Sequence, residues 1–358
     1  MKDYILYNNL LKEVEAGRVT VSKTGDLYIF KYTQSCHIEG LWNDVNRQAR
    51  GIIFRDDGTC VARPFPKFFN LGELPESSPE NLPWHEEVEI YEKVDGSCGI
   101  GYLVDGMWRL ATPGSMESDQ AKMGTQILNR RNDNPCLDYI LDILPKECTP
   151  VFEIIYPENR IVVDYKGETF LSLLAIFELS GEEWHPRRVD QIAERCGFRR
   201  PRRYNIDLRG DIPFTEGEEG YVARFASGLR IKVKSPAYLR VHRLLNHMSP
   251  KGVIELIRGH EYRATLEQLP QSLAVGFDDI RAYVQQMHDR LRIEAEDIVA
   301  RVPQGDRKAK ALWIQTNVPN NLTGVIFGLM DSKDMHDKYW KLVLELVKNN
   351  QDKRFSVE

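Results

Sequence analysis

Nothing in the 358 residues approaches the ~18 consecutive apolar positions that a membrane-spanning helix requires. The opening Met1-Lys2-Asp3-Tyr4 also lacks the apolar stretch and small-residue cleavage site of a secretory leader. No membrane partner is expected, and the location expected is cytoplasmic (the host cytoplasm for a viral protein). Cysteine is sparse: Cys36, Cys60, Cys98, Cys136, Cys148 and Cys196 are scattered and form no Cys-x-x-Cys pair. That spacing excludes a zinc site or a disulfide framework and predicts reduced, mostly buried thiols. A Gly-Lys-Ser/Thr phosphate loop is missing. Gly96, Gly99 and Gly101 cluster without the Gly-x-Gly-x-x-Gly spacing of a dinucleotide fold. Histidines 85, 185 and 288 stand isolated and read as solvated or structural. An overall basic excess is missing too, since a net charge of −5 argues against a uniformly basic nucleic-acid binder.

Charge is nevertheless uneven. From Phe198 to Arg243 there are 11 Lys/Arg against 5 Asp/Glu, a confined basic stretch that suits a phosphate-handling groove. Within it, Arg199, Arg200, Arg202 and Arg203 read equally as RNA contacts or as a solvated arginine-rich turn. The length exceeds what one core usually sustains, so two domains are expected, 1–243 and 244–358. The first reads as an α+β domain built on antiparallel sheet. Strand-like runs are Leu27 to Tyr32, Gly51 to Phe54, Glu87 to Tyr91, Gly99 to Val104 and Met107 to Leu110, followed by Pro150 to Tyr156, Arg160 to Val163, Phe170 to Phe177, Gly220 to Phe225 and Leu229 to Val233. Asp56-Asp57-Gly58 and Asp105-Gly106 supply hairpin turns, and one helix is predicted from Ser115 to Arg130. The second domain reads as all-α. Apolar residues recur at helical spacing from Phe277 to Val302, Asp306 to Asn317 and Asp334 to Asn349, with a break at Val318-Pro319-Asn320-Asn321.

Lys93-Val94-Asp95-Gly96 sets a lysine two residues before an Asp-Gly turn, as a lysine nucleophile attacking a nucleotide α-phosphate would need. With an unperturbed pKa of ~10.4, such a lysine is almost wholly protonated at pH 7. A reactive Lys93 is therefore expected to have its pKa lowered, by burial or by neighbouring cations. Lys232 and Lys234, two apart on a strand, would share one face and, with a divalent metal, supply that positive charge. Gly96 permits a sharp turn, which Asp95 would fix through nearby backbone. Glu153, inside the apolar run Val151 to Ile155, is costly unless it is paired, and suits a ribose hydroxyl or a buried salt bridge. Glu219, at the mouth of a strand, suits hydrated Mg²⁺ or, again, a buried salt bridge. Arg50 and Lys67 flank a hairpin and suit the leaving phosphates, although Arg50 equally suits a surface ion pair.

These segments together resemble the covalent nucleotidyltransferases and, more narrowly, the type-1 RNA ligase family of the T-even phage single-strand RNA ligase. The resemblance is carried by Ala49-Arg50-Gly51-Ile52-Ile53-Phe54, Lys67-Phe68-Phe69-Asn70-Leu71, Lys93-Val94-Asp95-Gly96-Ser97 and Phe152-Glu153. It continues through Pro157-Glu158-Asn159-Arg160-Ile161-Val162, Glu219-Gly220-Tyr221-Val222-Ala223 and Ile231-Lys232-Val233-Lys234-Ser235. In the tail it runs through Asp306-Arg307-Lys308 and Gly324-Val325-Ile326-Phe327-Gly328.

What the resemblance implies is specific. Lys93 becomes adenylated, Arg50 and Lys67 contact the leaving phosphates, and Lys232 and Lys234 the α-phosphate. Glu153 binds ribose, Glu219 is metal-linked, Asp95 and Gly96 belong to the nucleotide motif, Tyr238 lies near the nucleotide, and Phe170 or Phe177 stacks on adenine. One position departs from the pattern: the T-even enzyme has a lysine directly before its Gly-Ser pair, where this chain has Pro113 ahead of Gly114-Ser115. The activity implied is ATP-dependent joining of RNA 5′-phosphate and 3′-hydroxyl ends through lysyl-AMP, in RNA or tRNA repair, with Mg²⁺ or Mn²⁺. The alternatives are a nick-sealing ligase, a GTP-dependent capping guanylyltransferase or a non-catalytic RNA-end sensor. Oligomeric state is not legible in the sequence.

Overall fold

Tight turns lay out the first part of the chain in the computed structural model, which describes residues 2–129, 143–245, 247–269 and 271–349. Strands β1 (Val19–Thr24), β2 (Leu27–Tyr32), β3 (Arg50–Arg55) and β4 (Cys60–Ala62) form an antiparallel sheet in that order. Next come β5 (Phe69–Asn70), β6 (Val88–Glu92), β7 (Ser97–Val104), β8 (Met107–Ala111) and β9 (Cys148–Ile155). The series ends with β10 (Phe170–Glu178), β11 (Arg203–Tyr204), β12 (Gly220–Phe225) and β13 (Arg230–Lys234). A second sheet has the order β10-β9-β7-β8 and a third β11-β6-β12-β13-β5. Every pairing is antiparallel except the short β5–β13 contact. Asp105 and Gly106, at φ 51° and 75°, form the β7–β8 turn in the left-handed geometry that two-residue hairpins favour.

Most predicted strands lie within two residues of observed ones. Arg160 to Val163 is a correction: it forms no strand, because two of its backbone N–H groups are taken by a buried carboxylate, described below. The predicted helix from Ser115 narrows to Asp119–Leu128, since Ser118 Oγ accepts from Ala121 N at 3.2 Å and caps it there; Arg130 lies outside the described residues. Helices Tyr4–Glu15 and Pro186–Cys196 and strand β1 had no counterpart in the sequence reading. Cys36, Cys60, Cys98 and Cys148 are free thiols and, like Cys196, buried or half-buried, while Cys136 lies outside the described residues.

Chain contacts divide the molecule into two units, Met1–Tyr238 and Leu239–Glu358. In the first, alternation along β13 decides the site. Ile231 and Val233 point into an apolar core with Tyr221, Ala223 and Phe225, so Lys232 and Lys234 must share the opposite face. The second unit is helical. Its long helix Gln271–Arg301 buries Phe277, Ile280, Val284, Leu291, Ala295 and Ile298, an i, i+3, i+7 stripe. These residues pack with Ile254, Leu322, Ile326, Tyr339 and Trp340 from the neighbouring helices. The break at Val318-Pro319 is shorter than the sequence suggested, for Asn320 already opens helix Asn320–Met330. No helix among the described residues is long and apolar enough to cross a membrane.

Candidate active site

A close crossing of backbones builds the centre of the first unit. Gly220 lies at φ +138°, and a Cβ there would stand 2.1 Å from the carbonyl oxygen of Val233. Only glycine admits that approach. It brings Glu219, at the mouth of β12, against Lys234 at the end of β13, and Lys93 N donates to Gly220 O at 2.9 Å just beyond β6. The side chains converge accordingly. Lys93 Nζ is 2.6 Å from Glu219 Oε2, and Lys234 Nζ is 2.9 Å from Glu219 Oε1.

Here the electrostatics correct the sequence reading. Burial pulls the Lys93 pKa down, but Glu219, Glu153 and Asp95 outweigh it, and the value lies above that of an ordinary lysine. The depressed lysine is Lys232 instead. Burial, then the cations Arg50, Lys67, Lys93 and Lys234, push it down to about 6. Glu153 is driven the other way, up to about 7, by burial and by the charges of Glu219 and Asp95 against the pull of Lys93. Its Oε1 accepts from Gly96 N at 3.1 Å.

Asp95 and Gly96 hold the nucleophile segment, but not as local turn residues. A Cβ on Gly96 would meet the carbonyl oxygen of Ile154 at 2.6 Å, so this glycine serves close packing onto β9. Asp95, 3% exposed, reaches far along the chain. Its Oδ2 accepts from Val162 N and Val163 N, both at 2.9 Å, and its Oδ1 from Tyr238 Oη at 2.9 Å. Asp95 N in turn donates to Tyr165 Oη at 2.8 Å.

Cations collect beyond Lys232, whose ammonium lies 4.6 Å from the Phe68 ring centre, with the Arg50 guanidinium 5.5 Å from the same ring. Lys67, 9% exposed, sits in an aromatic cage of Tyr32, Trp42 and Phe69, 5.0–5.4 Å from each ring. Glu73 is its ion-pair partner at 4.0 Å, and burial lowers its pKa. Arg50 contributes to the depressed pKa of both Lys67 and Lys232, as one electrostatic cluster must.

An apolar cavity opens on the same sheet face, lined among others by Phe68, Tyr91, Glu92, Leu174 and Val222. Neither predicted stacking residue lines it. Phe177 is buried against Phe65 at 5.0 Å, and the Arg199 guanidinium lies over Phe170 at 3.9 Å. Leu174 comes forward instead because the β9–β10 register slips between Leu173 and Ala175.

The arginine row is also not a free basic face. Arg199 pairs with Glu168 at 2.9 Å, Arg200 with Asp190 at 2.8 Å, Arg202 with Glu218 at 2.7 Å and Arg203 with Asp190 at 2.6 Å. Sequence reasoning missed Tyr165, Trp42 and Leu174, whose roles arise only from the fold. Phe68 was within reach, because the string Lys67-Phe68-Phe69-Asn70-Leu71 already contains it.

Comparison with known proteins adds an independent line. The RNA ligase family profile of the T4 type-1 class matches residues 48–238, more than half of the chain. A Thermovibrio ammonificans protein described as a candidate RNA ligase is 32% identical over 248 residues, covering 66% of this chain and 64% of that protein. The RNA ligase of Rhodothermus phage RM378 is 23% identical over 301 residues, covering 65% and 67%. RNA ligase 1 of bacteriophage TS2126 is 31% identical over 221 residues, covering 58% and 54%. The matched stretch is thus about half to two thirds of each relative's length.

Proposed function

Since this chain belongs to the T4 type-1 RNA ligase family, we propose that it is an ATP-dependent enzyme joining RNA 5′-phosphate and 3′-hydroxyl ends through a lysyl-AMP intermediate. The observation that carries the reading is the sharing of one carboxylate, Glu219, by Lys93 and Lys234 on the face that also bears Lys232. In the first step the Lys93 amine attacks the α-phosphorus of ATP, the bond to the β-phosphate oxygen breaks, and pyrophosphate leaves with the electron pair. The ammonium proton must go first, and Glu219, 2.6 Å away, is its hydrogen-bond acceptor. An oxygen of the RNA 5′-phosphate then takes the AMP from Lys93, whose nitrogen regains a proton. The 3′-hydroxyl finally attacks the activated 5′-phosphate and AMP departs.

Lys232 and Lys234 would face the charge developing at phosphorus, with Arg50 and Lys67 at the leaving end. The apolar cavity with Tyr91 and Val222 suits the base. Glu219 offers the hard oxygen donors that Mg²⁺ or Mn²⁺ takes, and an ion held there would displace Lys93 or Lys234 from one of its oxygens. Glu219 would hold the ion beside the triphosphate, where it would neutralise phosphate charge. RNA is the partner proposed, and a cytoplasmic location goes with it.

The test is incubation with α-labelled nucleotide, followed by sealing assays on single-stranded, cleaved-loop and nicked-duplex RNA. We expect a covalent label from ATP and faster sealing of open strands. Labelling by GTP alone would favour capping, and preference for the nicked duplex would favour a nick-sealing enzyme. Nucleotide binding without any label would leave only an RNA-end sensor.

Lys232 adds a pH signature. With its pKa pushed down to about 6, it is mostly neutral at pH 7, and a bound phosphate would raise that value. Binding then takes up a proton, so affinity is highest below about pH 6 and weakens as pH rises from there, until the raised value is passed. Calorimetry with a non-hydrolysable ATP analogue at pH 7.5, in buffers of different ionisation enthalpy, should register uptake approaching one proton. Lys232→Met should abolish it.

A further inference from the structure

Beside Arg50, one of the cations acting on Lys232, the neighbouring strand presents a further lysine. Lys31 lies on β2, where the ladder slips: Phe30 pairs with Ile52, but Lys31 pairs with Arg50 and skips Gly51. Gly51, at φ +95°, packs so closely on the turn after β8 that a Cβ would stand 2.9 Å from Pro113 Cα. The next residue of that turn, Gly114, faces Lys31. A Cβ on Gly114 would lie 3.0 Å from Lys31 Cδ and 3.2 Å from its Nζ, so the bare glycine leaves room for the ammonium. Pro113 brings no charge to this corner. Lys31 is exposed and has no ion-pair partner among the described residues, whereas Lys93 and Lys234 share a carboxylate and Lys67 has Glu73. Its cross-strand neighbour Arg50 is part of the Lys67–Lys232 electrostatic cluster.

We infer that Lys31, laid across the Pro113-Gly114 turn beside Arg50, is a further contact for the leaving pyrophosphate end of the bound nucleotide. This rests on the ligase reading above. Physical chemistry favours that ligand. A triphosphate anchored at its α-phosphate by Lys232 and Lys234 extends its most highly charged end outward. Lys31 is a cation of this corner that no carboxylate neutralises, and its flexible stem suits a solvated terminal phosphate. The same positive charge could instead serve an RNA backbone phosphate, and the two sources separate by reaction step.

Lys31→Ala should raise the ATP concentration needed for half-maximal lysyl-AMP formation by about tenfold, the usual scale of one lost charge-assisted contact. It should raise by a similar factor the pyrophosphate concentration that reverses the adduct. Sealing of RNA supplied already adenylated, which involves no pyrophosphate, should proceed at the wild-type rate. Lys31→Arg should keep most of the ATP affinity, and the alanine effect should shrink in high salt, as for any exposed charge. Unchanged ATP and pyrophosphate dependence in Lys31→Ala would overturn the inference, as would a loss confined to sealing of pre-adenylated RNA, which would assign Lys31 to the RNA strand. Failure of the wild-type protein to label with ATP would refute the ligase reading instead.

Discussion

Replacing Lys93 by alanine is expected to abolish covalent capture of AMP, with a loss on the order of 10⁴–10⁶-fold, the scale seen when a covalent nucleophile is removed. The geometry makes the prediction sharper than loss of activity alone. Lys93→Arg preserves the positive charge beside Glu219 but cannot supply a free amine, because a guanidinium is not deprotonated in proteins. It should fail as completely as alanine in adduct formation. Both variants should nevertheless retain a measurable rate with pre-adenylated RNA, since the last step uses the 3′-hydroxyl as nucleophile and needs no amine at position 93. Mass spectrometry of protein incubated with ATP and Mg²⁺, beside a gel assay on pre-adenylated RNA, reads both arms. An adduct surviving in Lys93→Arg would place the nucleophile elsewhere.

The raised pKa of Lys93 makes chemistry depend on what enters the site. Glu219 favours the protonated amine, with Glu153 and Asp95 adding to the pull. A reactive amine there would be exposed to unproductive reactions. A cation drawn to Glu219, or a phosphate that occupies Lys234, weakens the hold on that proton. The sequence reading anticipated a lysine already depressed by its neighbours. The depression falls on Lys232 rather than Lys93, because cations placed by residue number do not reveal which carboxylates the fold brings back onto them. Glu219 lies 126 positions from Lys93 and still touches it.

Other parts were legible for identifiable reasons. The β7–β8 hairpin announces itself through Asp105-Gly106, and the shared face of Lys232 and Lys234 follows from period-2 alternation, which any strand obeys. The long helix of the second unit follows from an apolar stripe sustained over 31 residues. Elsewhere local signals competed with distant partners. Arg160 to Val163 has the β-branched composition of a strand, yet its N–H groups are claimed by Asp95. The arginines at 199 to 203 form a basic run in sequence, but Glu168, Asp190, Glu92 and Glu218 meet them from other segments. Phe170 and Phe177 do not line the apolar cavity, toward which a register slip of β10 turns Leu174.

Asp95 yields the second large effect, because it ties two distant segments, 162–165 and the helix turn at Tyr238, to the nucleophile. Alanine at this position would leave the N–H groups of Val162 and Val163 without their acceptor and take from the Tyr238 hydroxyl one of its two carboxylate partners, Glu219 being the other. At roughly 1–3 kcal/mol for each half-buried N–H left unpaired, Asp95→Ala should lower stability by about 2 kcal/mol or more. The backbone just after Lys93 would also lose its tether to residues 162–163, and a displacement of ~1 Å in a reacting group costs on the order of 10²-fold in rate. Asparagine should be milder. Its amide oxygen can still accept the two N–H groups, and the Tyr238 hydroxyl can reverse its role and accept from the amide nitrogen. Tyr238→Phe removes the hydroxyl that bonds Asp95 and also meets Glu219, and should cost about 1 kcal/mol or more. Pairing Asp95→Asn with Tyr238→Phe in a double-mutant cycle, read by urea unfolding and by the rate of lysyl-AMP formation, measures the coupling directly. Strict additivity in both readouts, with Asp95→Ala adenylated at the wild-type rate, would show that the nucleophile is positioned without this tether.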